Sequence, residues 1–101
     1  MFGKLGDMMG KLQEMKQKAE EVKLILADTL IHVEGAGGDI KIVITGDRKI
    51  KDLIIAPGLQ HSATEELQEQ LLVTLNRALA QADKVNDEEM KKAAGGIMPG
   101  L

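Results

Sequence analysis

The chain has 101 residues, a formal net charge of -3 and no cysteine. This length indicates one domain with a modest core, to whose stability oligomerisation would add substantially. The lack of cysteine excludes disulfides, thiolate metal sites and cysteine nucleophiles. A single aromatic residue, Phe2, argues against modules that stack nucleic-acid bases on aromatic side chains. Because the net charge is acidic, any basic surface for a nucleic acid must be local.

The first predicted element is a helix from about Asp7, whose side chain can act as its N-cap. Its apolar residues alternate in steps of three and four, which is a heptad seam. The seam residues are Leu5, Met8, Leu12, Met15, Ala19, Val22 and Leu26. A helix of this length, about 30 Å, is longer than a three-stranded sheet can cover. We therefore expect part of it to project and to need a partner helix.

Five lysines flank this seam. Lys4, Lys11 and Lys18 recur every seven residues beside one edge, and Lys16 and Lys23 lie beside the other. Flanking lysines usually set coiled-coil pairing and cover apolar surface with their stems. They can also contact phosphates. The two interpretations are not exclusive, and both stay open at this point.

Three runs of β-branched residues follow, at Leu30 to Glu34, Asp39 to Thr45 and Ile50 to Ala56. They predict a three-stranded antiparallel meander, because glycine-bearing turns separate them. The turn over residues 35–38 is rich in glycine but lies between two strands, whereas phosphate-binding glycine loops lie between a strand and a helix. A hairpin turn is the favoured interpretation.

Apolar and polar residues do not alternate along the predicted strands as cleanly as they should in a sheet with one solvated face. The apolar residues of the third strand are Ile50 and Ile54 on one side and Leu53 and Ile55 on the other. A chain this short can cover one face with its own helices, so we expect a second copy to cover the other. The predicted dimer interface on that second face contains Val43 with Leu53 and Ile55.

Pro57 ends the third strand, since proline cannot donate to the ladder. Ser62, followed three residues later by Glu65, predicts a capping box for a second long helix that lies on the sheet. A further cap at Asn86 predicts a break in this helix, and Gly95 should end regular structure. We expect one domain over residues 1–101, with flexible segments at residues 1–6 and 95–101.

No enzyme, cofactor or metal site is predicted. His32 and His61 lie in no metal-ligand spacing and no triad pattern. Ser62 follows His61, but its role as a helix cap explains it better than a role as a nucleophile. No apolar run approaches the roughly 20 residues of a membrane span, and the N-terminus lacks the apolar stretch of a secretory signal. These observations predict a soluble cytoplasmic protein.

The start of the chain, Met1-Phe2-Gly3-Lys4 opening a helix rich in Met, Gln and Lys, resembles the YbaB/EbfC family of bacterial nucleoid-associated proteins. The resemblance covers nearly the whole chain. Its other segments are Val33 to Gly38, Ile40 to Gly46, Ile54 to Pro57, Glu66 to Ala78 and the Pro99-Gly100 tail. No single motif is specific, but their order and spacing together are. Thr45-Gly46 stands where the family usually has asparagine-glycine.

The resemblance implies an α+β fold, with α-β-β-β-α subunits in a tweezers-like homodimer that binds double-stranded DNA in the nucleoid. It also implies little sequence preference and a part in nucleoid organisation and gene regulation. Together with the sorted lysines, it predicts phosphate contacts by Lys4, Lys11, Lys16 and Lys18, with Lys23 a weaker candidate. Few arginines lie nearby, so base readout by guanidinium groups is not expected.

A second hypothesis is a non-enzymatic adaptor, whose helical arms bind a DNA replication or recombination protein. The apolar seam supports this alternative, because it could accept a partner's helix as readily as a helix of a second copy. Neither hypothesis requires a cofactor.

Overall fold

The computed structural model describes the backbone of residues 2–97 and, within that range, the side chains of residues 6–59 and 61–95. The elements are helix α1 (Phe2–Asp28), strands β1 (Leu30–Gly35), β2 (Ile40–Thr45) and β3 (Ile50–Ile55), and helix α2 (Thr64–Ile97). Short 3-10 turns, Ala36–Gly38 and Leu59–His61, precede β2 and α2. The predicted α-β-β-β-α order is confirmed, and each predicted strand differs from the observed one by a single residue.

Both helices begin at residues other than those predicted from the sequence. α1 already begins at Phe2, so Asp7 lies inside the helix and is not its N-cap. The first turn of α2 is closed by the amide of Leu67, which donates to the carbonyl oxygen of Ala63 at 3.0 Å. Ala63 therefore occupies the N-cap position, so Ser62 is not the N-cap and the predicted capping box is wrong.

Helix α2 is continuous through Asn86 and Gly95 as far as Ile97, so the predicted break and the predicted end of regular structure are both wrong. Asn86 does not cap a new segment. Its side-chain amide instead lies 3.5 Å from the carbonyl oxygen of Gly46, to which it donates, in the turn between β2 and β3. The Pro99-Gly100 tail lies outside the described residues.

The strands form one antiparallel sheet in the order β1-β2-β3, and α2 packs across β1 and β2. Ile40, Ile42 and Ile44 of β2 point to α2 and are almost fully buried. The other buried members of this core are Val33, Leu59, Ala78 and Ala82. The two alanines let the helix axis approach the sheet closely, so the isoleucines of β2 form the centre of the core.

The tightest contact between α2 and the sheet joins Gly35 to Thr74. A Cβ atom placed on Gly35 would lie 1.9 Å from Oγ1 and 2.8 Å from Cγ2 of Thr74. Thr74 is only 1% exposed, and its hydroxyl donates to the carbonyl of Gln70 at 2.7 Å. The threonine is thus fixed and satisfied, and only glycine fits opposite it.

The pairing of β2 with β3 contains a bulge. Val43 pairs with Asp52, but the next residue of β2, Ile44, pairs with Ile50, so Lys51 is an extra residue in β3. An extra residue shifts the two-residue period of the strand by one position. Side chains before and after Lys51 therefore change faces relative to a regular strand.

This bulge corrects the predicted faces of the sheet. Ile50, Leu53 and Ile55 all lie on the side that faces α2, because their partners in β2 are the buried isoleucines. Val43 points to the opposite side. The expectation that Val43 shares one face with Leu53 or Ile55 is therefore wrong.

The sheet face away from α2 is not continuously apolar. The register places Leu30, Val43 and Ile54 there among His32, Glu34, Lys41 and Asp52. Glu34 and Lys41 are cross-strand partners of opposite charge, which is a typical solvated pair. Apolar and polar residues are better separated between the two faces than the sequence indicates. The reason is the bulge, which places Ile50, Leu53 and Ile55 of β3 on the face towards α2.

Candidate nucleic-acid interface

Beyond the sheet, α1 and α2 run antiparallel in contact and form a projection that we call the arm, residues 6–28 and 83–97. Near the sheet, Leu26 of α1 packs on Gly46, which also accepts the hydrogen bond from Asn86 of α2. Farther out, Met15 lies beside Ala94. In the direction away from the sheet, residue numbers therefore decrease along α1 and increase along α2. With the arm, the molecule measures 71 × 21 × 17 Å.

Helix α2 of the same chain covers part of the heptad seam of α1. Val22 and Leu26 are 4% and 2% exposed, whereas Met8 and Leu12 are each 63% exposed. A cavity of about 180 Å³ between the helices is lined by Met15, Lys18, Ala19, Val22, Met90, Ala93 and Ala94. The seam is therefore covered near the sheet and open at the N-terminal end of α1.

The predicted lysines divide into two pairs. Lys11 and Lys16 are exposed, and neither forms an ion pair with a described residue. Lys18 and Lys23 form ion pairs. The Nζ atom of Lys18 lies 3.5 Å from Oε2 of Glu21, and that of Lys23 lies 3.6 Å from Oε1 of Glu20. Exposed ion pairs of this kind are weak, so they reduce the local positive potential more than they immobilise the lysines. The side chain of Lys4 lies outside the described residues.

Three lysines of α2 also belong to the arm and were missed from the sequence. Lys84 and Lys91 are exposed, and Lys92 forms an ion pair with Glu89 at 3.3 Å. Lys91 and Lys92 follow Asn86, and the cap predicted there ends the long helix before it reaches them. The helical spacing of Met90 and the alanines after it was the signal that α2 continues.

The arm is nearly neutral overall. Residues 6–28 and 83–97 together carry seven lysines and nine carboxylates. A surface of this kind has no broad positive field to attract a polyanion. Any phosphate contact must therefore depend on where individual lysines lie, which distinguishes Lys11 and Lys16 from the paired ones.

The opposite end of the molecule has a different character. A depression of about 370 Å³ lies there beside Asp39, Ser62 and Glu66, and its carboxylates would repel phosphate. Within residues 2–97, no three His, Asp or Glu side chains are grouped so that they could hold a metal ion. Neither helix has, in that part of the chain, the length and apolar content needed to span a bilayer.

Strand β3 and one ridge of α2 form a second apolar surface, which is exposed except at the half-buried Ile55. We call it the β3 surface: Ile50, Leu53, Ile55, Leu72 and Leu79. Ile50 and Leu53 are 48% and 45% exposed although they face the same way as the core. Leu72 and Leu79 are 62% and 40% exposed. They precede Asp83 on one helical ridge, and Asp83 accepts a 2.5 Å hydrogen bond from Arg48 beside β3. The strand and the ridge therefore lie on the same side of the molecule.

Comparison with known proteins agrees with this architecture. The model of the YbaB/EbfC DNA-binding family matches residues 1–97. A nucleoid-associated protein of Flavobacterium johnsoniae is 39% identical over 94 residues, which cover 93% of this chain and 88% of the relative. A nucleoid-associated protein of Ruminiclostridium cellulolyticum is 34% identical, with coverage of 98% and 89%. The crystal structure of the uncharacterized protein HP0035 from Helicobacter pylori superposes with a TM-score of 0.71, 26% identity and 97% coverage of both chains. The chain belongs to the YbaB/EbfC DNA-binding family.

Proposed function

We propose that this protein binds double-stranded DNA as a homodimer, largely through contacts between arm lysines and phosphates. In this proposal it acts in the bacterial nucleoid, within the cytoplasm, and contributes to nucleoid organisation and gene regulation. The observation that carries the proposal is the projecting arm with Lys11 and Lys16, which are exposed and form no ion pair with a described residue. Membership of a DNA-binding family and relatives named nucleoid-associated proteins support it.

The dimer in this proposal forms through the β3 surface. Ile50, Leu53 and Leu72 would each leave water on association, and large contiguous exposed apolar patches typically mark protein contacts. Asp52 accepts a 2.9 Å hydrogen bond from the amide of Leu53, which occupies one edge donor of β3. That bond favours packing of side chains over direct pairing of strand edges at this point. Two joined subunits would hold two arms at a fixed separation.

Competition binding across ionic strength tests the DNA part of the proposal. A labelled duplex bound to the protein is displaced by unlabelled duplexes of one chosen sequence and of random sequence with the same A·T content, at several salt concentrations. We expect similar affinities for both competitors and a binding constant that falls steeply as salt rises, because phosphate contacts release counterions. A flat salt dependence, or a strong preference for one sequence, would contradict contacts made mainly to phosphates.

The two lysine pairs provide a matched comparison. In a dimer, Lys11→Ala with Lys16→Ala removes four phosphate contacts, so the slope of log K against log salt should become shallower by about 3 to 4. Lys18→Ala with Lys23→Ala removes the same number of charges but also frees Glu20 and Glu21 from their partners. We expect it to weaken binding while changing the slope less.

Filter binding of both variants at four salt concentrations measures these slopes, and analytical ultracentrifugation checks that both remain dimers. Equal slopes for the wild type and the Lys11/Lys16 variant would show that these lysines do not contact phosphate.

The adaptor function remains the second candidate, because Met8, Met9 and Leu12 are more than 60% exposed on the arm. An apolar helical strip of this kind can seat on a partner protein's groove. Failure to bind any duplex at low salt, together with capture of a purified replication or recombination protein by the arm, would favour it.

A further inference from the structure

We infer that the N-terminal end of α1 enters the DNA major groove, where Met8 and Leu12 contact the methyl groups of thymine. This inference rests on the proposed function and adds a chemical preference to it. It assigns to the arm a contact that phosphate-binding lysines cannot make, since phosphates carry no sequence information.

The first argument is the exposure of apolar side chains towards the N-terminal end of α1, at and beyond the point where the described part of α2 ends. Met8 and Leu12 are each 63% exposed, although the same seam is almost fully buried at Val22 and Leu26. α2 lies beside α1 as far as Met15 and Ala94. A single α-helix is about 10–12 Å across with its side chains, and the major groove is about 12 Å wide.

The second argument is the position of the charges around this strip. With about 3.6 residues per turn, Lys11 lies about 60° to one side of Met8, and Lys16 lies about 40° to the other side of Leu12. Asp7 and Glu14 lie farther away, about 100° or more from Met8. An apolar strip between two lysines suits a groove whose floor carries methyl groups and whose walls carry phosphates. A partner protein's apolar groove would not require both flanking cations.

The third argument is spacing. Met8 and Leu12 are one turn apart, which is about 6 Å along the helix and roughly two base-pair steps of duplex. Thymine is the only standard base that presents a methyl group in the major groove. The two side chains can therefore reach methyl groups of base pairs about two steps apart, and the protein should bind A·T-containing duplexes more tightly.

Two pairs of duplexes isolate the methyl group itself. In the first pair, every thymine is replaced by deoxyuridine, which removes only the methyl groups. In the second, a G·C duplex carries cytosine or 5-methylcytosine, which adds a methyl group in the same groove. We expect the wild-type dimer to bind each methylated duplex about three- to fourfold more tightly for each methyl group contacted.

Matched protein variants complete the experiment. Met8→Ala with Leu12→Ala should lose both discriminations, because alanine keeps the helix but cannot reach the methyl groups. Leu24→Ala, at a residue of the same helix that is 67% exposed but close to the sheet, should keep them. Fluorescence anisotropy at one fixed salt concentration measures all affinities.

Equal binding of the methylated and unmethylated duplexes by the wild type would overturn this inference while leaving DNA binding itself established. Full discrimination by the Met8/Leu12 variant would overturn it too. Absence of binding to every duplex would instead refute the proposed function, and with it this inference.

Discussion

Leu53→Asp is expected to separate the proposed dimer into folded monomers. Leu53 is 45% exposed in the single chain, so the monomer can hydrate an aspartate there. In a dimer joined through the β3 surface, the same carboxylate would be buried without a partner once in each subunit. The combined cost should be at least about 4 kcal/mol, which raises the dimer Kd by about a thousandfold. Sedimentation velocity at micromolar concentration measures this change.

Val43→Asp is the matched control, because it places the same charge in the same sheet on the opposite face. We expect this variant to remain a dimer. DNA affinity should fall about a hundredfold or more for Leu53→Asp alone, since separated arms cannot engage one duplex together. If Val43→Asp dissociates while Leu53→Asp remains a dimer, the interface lies on the sheet face away from α2.

Gly35→Ala is expected to destabilise the fold itself. The new methyl group would overlap Oγ1 of Thr74, which is buried and cannot turn away without losing its bond to Gln70. Relieving the overlap requires α2 to move off β1, so we expect a loss of about 3 kcal/mol in the free energy of unfolding. That is a large part of the stability of a small domain. Urea denaturation followed by circular dichroism measures the loss.

Two further variants test the cause of that loss. Gly58→Ala makes the same chemical change where no atom lies within 4 Å, so its unfolding midpoint should stay close to that of the wild type. Adding Thr74→Ala to Gly35→Ala should recover part of the stability, because the two nearest atoms are removed and only Cβ, at 2.9 Å, remains. No recovery in the double variant would rule out this overlap as the cause.

The strands were predictable because their signal is local. β-Branched residues alternate between glycine-bearing turns, so the bounds of all three strands could be read to within one residue. The bulge at Lys51 was not predictable, since an extra residue leaves the composition of β3 unchanged and appears only in the pairing with β2. The predicted dimer face was wrong in part for this reason: it placed Val43 on one face with Leu53.

The helical arm was predictable only in outline. The heptad spacing of α1 indicated a projecting helix, but it did not show that α2 of the same chain covers Val22 and leaves Met8 open. Asn86 carries an ambiguous signal, because the same side chain can cap a helix or donate to a distant carbonyl. Which lysines have acidic partners depends on rotamers, and the sequence pattern cannot supply them.

The turn between β2 and β3 is the point at which the long arm is attached to the sheet. Leu26 packs against Gly46, Asn86 donates to the carbonyl of Gly46, and Asp83 accepts from Arg48, so both helices of the arm are held at this one point. Met8 lies about 27 Å from it along α1. A tilt of about 10° at the turn would move the helix tip by about 5 Å, which exceeds the 3.4 Å rise of one base pair. In the proposed complex, small changes at Gly46 would therefore shift the contact of the arm with DNA by more than a whole base-pair step.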